Sequence, residues 1–363
     1  MEFPQKKDQY KIWVFAPFLV TDDPNLQFYY DYTQSIEEYK RVFEVLDCEW
    51  EWVNITMSNY ENEIERVERN KEKKNLVINL CDGDEINEVP GVSVIHALTK
   101  HHLAYTGADS YFYEITTSKI IMKKAFDLYQ VKTPGWMILD EMPDESKLKE
   151  IGEPAILKPA VSAGSMGLSI KNVVSSVEEL KAVLQDIQQG YHGWRLHESG
   201  LILEQFITGR EFTTFITGST TNPEEIRFYQ PAERVFHQSL PDKEQFLSFD
   251  RLWETYDNES AMPGEDFFYQ YAEVASSELV LALKDISLKA FHAVKGMGYA
   301  RLDIRMDKAS GELYVLEINA QCGLSEDEDY TSIGAILRFS HVTFAQLIAA
   351  LLEDALRRQK NTD

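Results

Sequence analysis

From the start of the chain to about Ser110, short apolar runs alternate with longer polar stretches: "KIWVFAP", "QSIEEYKRVFEVL", "EWEWVNI", "EIERVERN" and "NLVINLCDG". Strand-length apolar runs separated by helix-length amphipathic ones predict an α/β layered unit with parallel strands. "VSVIHALTKHHLAYTG" continues the pattern with another helix and a short strand. In sheets of this kind the loops that follow the strand C-termini form the ligand crevice, which here predicts "APFLVTDD" and "CDGDEINEVPG" as its walls.

At 363 residues the chain exceeds one ordinary domain and suits two or three that share interfaces. With 44% hydrophobic and 26% charged residues, the composition is that of a soluble globular protein. No apolar stretch approaches the ~20 residues of a membrane span. "KIWVFAPFLV" follows a polar start and reads as a buried strand, so a cytoplasmic protein is expected, with no membrane contact. Cys48, Cys81 and Cys322 are an odd number without metal-like spacing and read as buried or bystander thiols. A net charge of −24 argues against nucleic-acid binding, which requires a basic surface. The charge is partly clustered in "ENEIERVERNKEK" and "SEDEDY", and such runs are usually solvated faces.

A second unit is expected from "TTSKIIMKKAFDLYQVKTPGW", where a Thr precedes an amphipathic helix, through "EPAILKPAVSAGSMGLSIKNV" and the helical "SVEELKAVLQDIQQG". A third opens near "GLILEQFITGREFTTFITG". It runs through a polar, poorly periodic stretch at 230–265, a long helix "YAEVASSELVLALKDISLKAFHAVKG", the hairpin "YARLDIRMDKASGELYVLEINA" and a closing helix. In that last helix Phe344, Leu347, Ile348, Leu351, Leu352 and Ala355 share one apolar face. The expected division is 1–113, 114–206 and 207–363.

The hairpin carries the sharpest chemical signal. Alternate residues of a strand share a face, so Glu317 and Asn319 in "GELYVLEINAQCG" project together, and folding about "DKASGE" sets Asp303 roughly opposite Glu317. Three protein oxygen ligands, completed by phosphate and water, is a common way to hold magnesium beside a nucleotide; a half-buried strand pair with polar ends would look the same. Arg301 shares that face and offers a cation to phosphate oxygens. In "ILKPAVSAGSMGLSI", Lys158 precedes a loop of small residues whose backbone N–H groups could cradle phosphates, although a plain hairpin turn also fits. Lys119 and Lys123 lie one helical turn apart and share a face, ordinarily a solvated basic stripe. Glu204, Gln205 and Glu211 interrupt the apolar run "LILEQFITGREFTTFI", as nucleoside-binding groups or as edge-strand polarity.

Taken in order, a lysine on a helix, "LKP" with a small-residue loop, "LEQFITGREFT", "RLDIRMD" and "LEINAQCG" form a layout that resembles the ATP-grasp superfamily, in particular the D-alanine-D-alanine ligase family. The resemblance covers roughly the last 260 residues. It implies an α/β (α+β ATP-grasp) three-domain architecture with an N-terminal Rossmann-like parallel-sheet domain, and often a homodimer. It further implies that Lys119 and Lys158 contact ATP phosphates, that Glu204, Gln205 and Ile207 form the adenine hinge, and that Glu211 binds ribose. Ser165 and Gly167 fall at phosphate-loop positions, with the loop closing over the γ-phosphate, and Arg301 would stabilise charge on the transferred phosphate. Asp303, Glu317 and Asn319 match ligands of two magnesium ions, or of manganese. The implied reaction transfers the γ-phosphate to a carboxylate, after which an amine displaces phosphate to form an amide.

Departures concern the amino-acid substrates. The family's Gly-Gly turn and Ser and Glu-rich segment after the first strand are missing, leaving Asp22 or Asp23 as possible analogues. The phosphate loop reads "VSAGS", with Gly164 where the family often has serine. After the metal strand comes "CGLSEDEDYTS", in which Gly323 is a candidate substrate contact. Glu326, Asp327, Glu328 and Asp329 would repel a free carboxylate and attract an amine if they faced the site, and otherwise form a solvated acidic loop. In the lid-like stretch His237 is a candidate substrate ligand by similarity to D-alanine-D-lactate ligases, and Trp253 and Tyr256 stand near the family's lid motif. The expected protein is an ATP-dependent carboxylate–amine ligase for amino acids or amino-acid-like acids other than D-alanine. A phosphotransferase or a non-catalytic nucleotide-binding protein on the same fold is the alternative.

Overall fold

The computed structural model describes residues 7–22, 27, 30–190, 194–254, 256, 259–263 and 267–360. Its first sheet is built from β1 (Tyr10–Pro17), β2 (Glu49–Ile55), β3 (Lys74–Asn79) and β4 (Ala104–Tyr105), all parallel and ordered β2-β1-β3-β4. The crossovers are helices α1 (Thr33–Leu46), α2 (Tyr60–Arg69) and α3 (Val92–Lys100). Central β1 is apolar at consecutive positions because it is covered on both faces. Trp13 and Phe15 pack against Ile64 and Val67 of α2 and Val94 and Leu98 of α3. Ile12 and Val14 face Tyr39, Val42 and Phe43 of α1. The predicted α/β layering is what forms.

Two short helices follow, α4 (Ser110–Thr117), capped by Asp109 on the Phe112 amide, and α5 (Lys119–Leu128). The second sheet comprises β5 (Trp136–Ile138), β6 (Ala155–Pro159), β7 (Val173–Val174) and β8 (Leu201–Gln205), in the order β5-β8-β6-β7 and antiparallel throughout. Leu157 and Leu203 pack beneath α6 (Glu145–Ile151) and α7 (Val177–Gln189), whose Leu148, Leu180, Val183 and Ile187 share their core.

The third sheet is also antiparallel: β9 (Gly209–Ser219), β10 (Asn222–Phe228), β11 (Ala232–Phe236), β12 (Tyr269–Glu273), β13 (Met297–Asp307) and β14 (Leu313–Ala320) run β12-β11-β9-β13-β14, with β10 also on β9. Helix α8 (Phe249–Trp253) lies between β11 and β12 in sequence. Helix α9 (Ser277–Ala293) covers one face, placing Leu283, Ala290 and Phe291 against Phe212, Ile216, Ile304 and Ile318. The chain ends in α10 (Ser332–Phe339) and α11 (Phe344–Lys360). The apolar face of α11, as expected from its spacing, is buried, but against Ile12, Val14 and the α1 side chains of the first sheet. The last helix therefore supplies the cover that the first sheet lacks.

Two expectations need correction. The long helix does not begin at "YAE": Tyr271–Glu273 belongs to β12, and the helix starts at Ser277 behind a Ser276 cap that accepts from the Leu279 amide. The stretch read as poorly periodic contains strand β11 and helix α8. The three thiols are unbridged, with Cys81 and Cys322 buried. Among the described residues, no single helix is long and apolar enough to cross a membrane.

Candidate active site

A cleft of about 560 Å³ opens between the second and third sheets, with the first-sheet unit closing one end. One wall is the exposed face of the β13–β14 hairpin. Its register sets Asp303 opposite Glu317 and Arg301 opposite Asn319, as the turn position predicts, and then slips by one residue so that Ile304 pairs with Val315. This bulge brings both Leu316 and Glu317 to the cleft. Arg301 Nη2 donates to Asp303 Oδ2 at 3.1 Å, Asn319 Nδ2 donates to the same oxygen at 3.2 Å, and Thr213 Oγ1 donates to Oδ1 at 3.2 Å. Burial pushes the Asp303 carboxyl up; Arg301 opposes that shift, while the facing Glu317 charge adds to it.

The opposite wall carries the lysines. Lys119 Nζ stands 3.7 Å from Glu317 Oε2 and donates to the Ser162 carbonyl and hydroxyl at 3.3 and 3.2 Å. Lys158 Nζ donates to Glu204 Oε1 at 2.9 Å, and Lys123 takes the other oxygen of that carboxylate. Lys119 and Lys123 are 7% and 1% exposed, so the solvated basic stripe does not form. The face turns inward because Glu204, 1% exposed, and Glu317 offer counter-charges there. Burial pulls both lysine pKa values down despite these partners. Burial alone would raise the Glu204 and Glu317 carboxyls, but the neighbouring lysines outweigh it and hold both below the usual range.

The small-residue loop lies over the cleft. Gly164, Ser165 and Gly167 have φ of +52°, +60° and +75°. Ser165 lines the cleft, and its hydroxyl donates to the Leu247 carbonyl at 3.0 Å. Gly167 lies behind the lining, where a Cβ would come within 2.7 Å of Leu196 Cδ1. Trp253 Nε1 donates to the Gly164 carbonyl at 2.9 Å, which docks the lid-like stretch on this loop.

At the far end, Gln205, Ile207 and Glu211 line the cleft together with Glu204. The two carboxylates expected to meet a nucleoside, Glu204 and Glu211, are engaged within the protein. Glu204 is spent on the two lysines. Glu211 holds both Arg234 and Arg305. These two arginines were missed. Arg305 had a signal, since Arg301, Asp303 and Arg305 alternate on one strand face; Arg234 lay in the stretch read as irregular.

The remaining candidates divide. Gly323 lines the cleft. His237 does not: alternation from the inward Arg234 puts Val235 on the opposite face of β11, His237 just past the strand follows Val235 to that side, and the His237 ring meets the Ser239 hydroxyl at 2.7 Å. Of the lid aromatics, Trp253 lines the cleft, whereas Tyr256 stacks on Phe268. Asp22 is exposed outside the lining, and Asp23 lies outside the described residues. Among the described residues of "APFLVTDD" none lines the cleft, whereas "CDGDEINEVPG" contributes Asp82 and Asp84, beside Ser35 and Tyr113. Burial pushes the Asp82 carboxyl up to about 7, against its own backbone hydrogen bond and helped by the Asp84 charge.

The acidic loop is tied outward, so its carboxylates do not face the site. Arg41 pairs with Glu326 at 2.5 Å, Gln34 donates to Asp327 at 3.1 Å, and Arg338 stands 3.4 and 3.8 Å from Glu328 and Asp329.

Comparison with known proteins agrees with this architecture. The profile of the family described as "D-ala D-ala ligase C-terminus" matches residues 125–353. Similar curated proteins include the D-alanine–D-alanine ligase of Ectopseudomonas mendocina, 28% identical over 255 residues, covering 70% of each chain. The ligase of Borreliella burgdorferi is 24% identical over 67% of this chain and 62% of its own length, and that of Acinetobacter baumannii 26% identical over 76% and 77%. Among solved structures, the D-alanine–D-alanine ligase of Bacillus anthracis complexed with ATP superposes with a TM-score of 0.66 at 19% identity, covering 98% of this chain and 99% of that one. The Coxiella burnetii ligase gives 0.67 at 13% identity, covering 97% of each. With the matched segment spanning the two antiparallel sheets and most of the cleft lining between them, the chain belongs to the D-alanine–D-alanine ligase C-terminus family and has the ATP-grasp fold.

Proposed function

We propose that the protein is an ATP-dependent ligase that joins a carboxylate to an amine through an acyl phosphate, releasing ADP and phosphate. The observation that carries this reading is the opposition of charges across the cleft: Lys119 and Lys158 on one wall, Arg301, Asp303, Glu317 and Asn319 on the other. A carboxylate oxygen of the first substrate attacks the γ-phosphorus and the bond to ADP breaks. The amine then attacks the acyl carbon, and phosphate leaves. Lys119 and Lys158 neutralise phosphate oxygens, and Arg301 meets charge on the phosphoryl group in flight. Gln205 and Ile207 would border the base and Glu211 the ribose, sharing its oxygens with the arginines. The Ser162–Gly167 loop, held to the lid, keeps water from the acyl phosphate.

Asp303, Glu317 and Asn319 would hold magnesium. The donor set fits: two facing carboxylates and an amide oxygen, with the Asp303 charge under-compensated in its buried position. Bound there, the metal would neutralise β- and γ-phosphate oxygens. We propose the division at 1–113, 114–206 and 207–363, which is supported by one sheet falling within each range. The substrate reading is an amino acid or amino-acid-like acid other than D-alanine, supported by Asp82 and Asp84 at the closed end of the cleft in place of the family's N-terminal pattern.

The test is phosphate release from ATP and magnesium across paired D- and L-amino acids, with mass spectrometry of each product. An amide whose formation needs both substrates is expected, and Glu317→Ala should reduce its rate by about a hundredfold or more. A phosphorylated product that accumulates without any amine would overturn the ligase reading. D-alanyl-D-alanine as the sole product would overturn the substrate reading alone.

A further inference from the structure

Arg305 is 2% exposed and joins three separate elements. Its Nε and Nη2 donate to Glu211 Oε2 on β9 at 3.0 and 2.6 Å, its Nη1 donates to the Ile207 carbonyl after β8 at 2.8 Å, and Nη2 also donates to the Gln245 carbonyl of the lid stretch. The guanidinium lies over the Phe206 ring, 4.9 Å from its centroid. A planar fork of five N–H donors can span such a set, and an ammonium cannot.

The lid stretch continues from Gln245 to the phosphate loop through backbone partners. Leu247 accepts from the Ser165 hydroxyl, and the Phe249 amide donates to the Leu168 carbonyl at 2.8 Å. Trp253 donates to Gly164, and Glu259 accepts from the Ile170 amide at 3.0 Å. Within the lid, Arg251 bridges the Glu244 carbonyl and the Glu259 carboxylate, which ties Glu244 to Glu259 across both contacts. One chain of hydrogen bonds therefore leads from the hinge through Arg305 and the lid to the loop over the lysines.

We infer that Arg305 is a positioning residue that makes lid closure depend on nucleotide: it docks the lid at Gln245 on the same guanidinium that holds the hinge at Ile207 and the carboxylate at Glu211. The inference rests on reading the cleft as a nucleotide site. Ribose hydroxyls that engage Glu211 share its oxygens with Arg234 and Arg305, and the carbonyl contacts of Arg305 then keep the lid seated over the phosphates. Loss of Arg305 frees the lid from the nucleoside end while Lys119, Lys158 and the metal face stay intact.

The test uses the full chain with a non-hydrolysable ATP analogue and magnesium, comparing wild type, Arg305→Lys and Arg305→Met. Calorimetry reads affinity, and trypsin reads the lid at the exposed Lys243. In the wild type the analogue should protect the bond after Lys243. Arg305→Met should bind about tenfold more weakly or worse and show no analogue-dependent protection. Arg305→Lys should bind within a few-fold of wild type yet remain cleavable, since one ammonium cannot hold all three acceptors. Wild-type protection in both variants overturns the inference, and if Arg305→Met does not fold, Arg305→Lys decides by the same criterion. A wild-type chain that fails to bind the analogue overturns the nucleotide reading itself, and this inference with it.

Discussion

Glu204 shows how a single carboxylate can organise a site without meeting the ligand. Both of its oxygens are taken by lysines: the partly exposed Lys158 lines the cleft, while the buried Lys123 supports from behind. Removing it as Glu204→Ala would leave Lys123 and Lys158 repelling one another in a poorly solvated position, a loss of about 3–5 kcal/mol for a broken buried pair. Urea unfolding should report that loss, and ATP binding should fall with it. That Lys119 and Lys123 share a helix face was legible from their spacing. Whether the face turns to water or inward was not, because the answer depends on counter-charges that come from β8 and β14.

At the scale of elements, the phosphate loop combines backbone conformation with close packing. Gly167→Ala would force a φ of +75° on a residue with a Cβ and press that atom on Leu196 Cδ1 at 2.7 Å and Pro159 Cγ at 3.1 Å. Gly311, in the turn between β13 and β14, has a similar φ of +71° with open space around it. Gly311→Ala should therefore cost only the left-handed backbone penalty, about 1–2 kcal/mol, with nucleotide affinity unchanged. Gly167→Ala should cost more and also weaken nucleotide binding, as thermal melts and titration with the analogue would show. The hairpin that carries the metal ligands was legible because its turn chemistry and alternation agree on one register. Strand β11 was not: Arg234 stands on its inward face beside Ala232 and Glu233 on its outward one, so the apolar alternation that announces a strand is broken. A polar cleft hides the very strands that line it.

For the whole molecule, the cleft is closed by the first-sheet unit, and pH should register there. The Asp82 carboxyl is raised to about 7, so its contribution to stability is fully present below the usual carboxylate range and is lost as pH rises toward 7. Asp82→Asn should flatten the dependence of unfolding free energy on pH between about 4 and 7 and make the protein more stable than wild type at pH 8, as denaturant titrations at pH 5 and 8 would test. The sequence by itself determined the parallel first sheet, the apolar face of the last helix and the register that puts Asp303 against Glu317, because periodicity and turn chemistry are local. Only the tertiary structure decided that the last helix covers the first sheet, that Glu204 and Glu211 are held by lysines and arginines, and that the acidic loop is tied to Arg41 and Arg338 away from the cleft. The first of these is apolar packing and the others are ion pairs, all between segments far apart in the chain; where the groups are buried, as at Glu204 and Glu211, an unpaired charge is costly, and none of these partners leaves a period in the sequence.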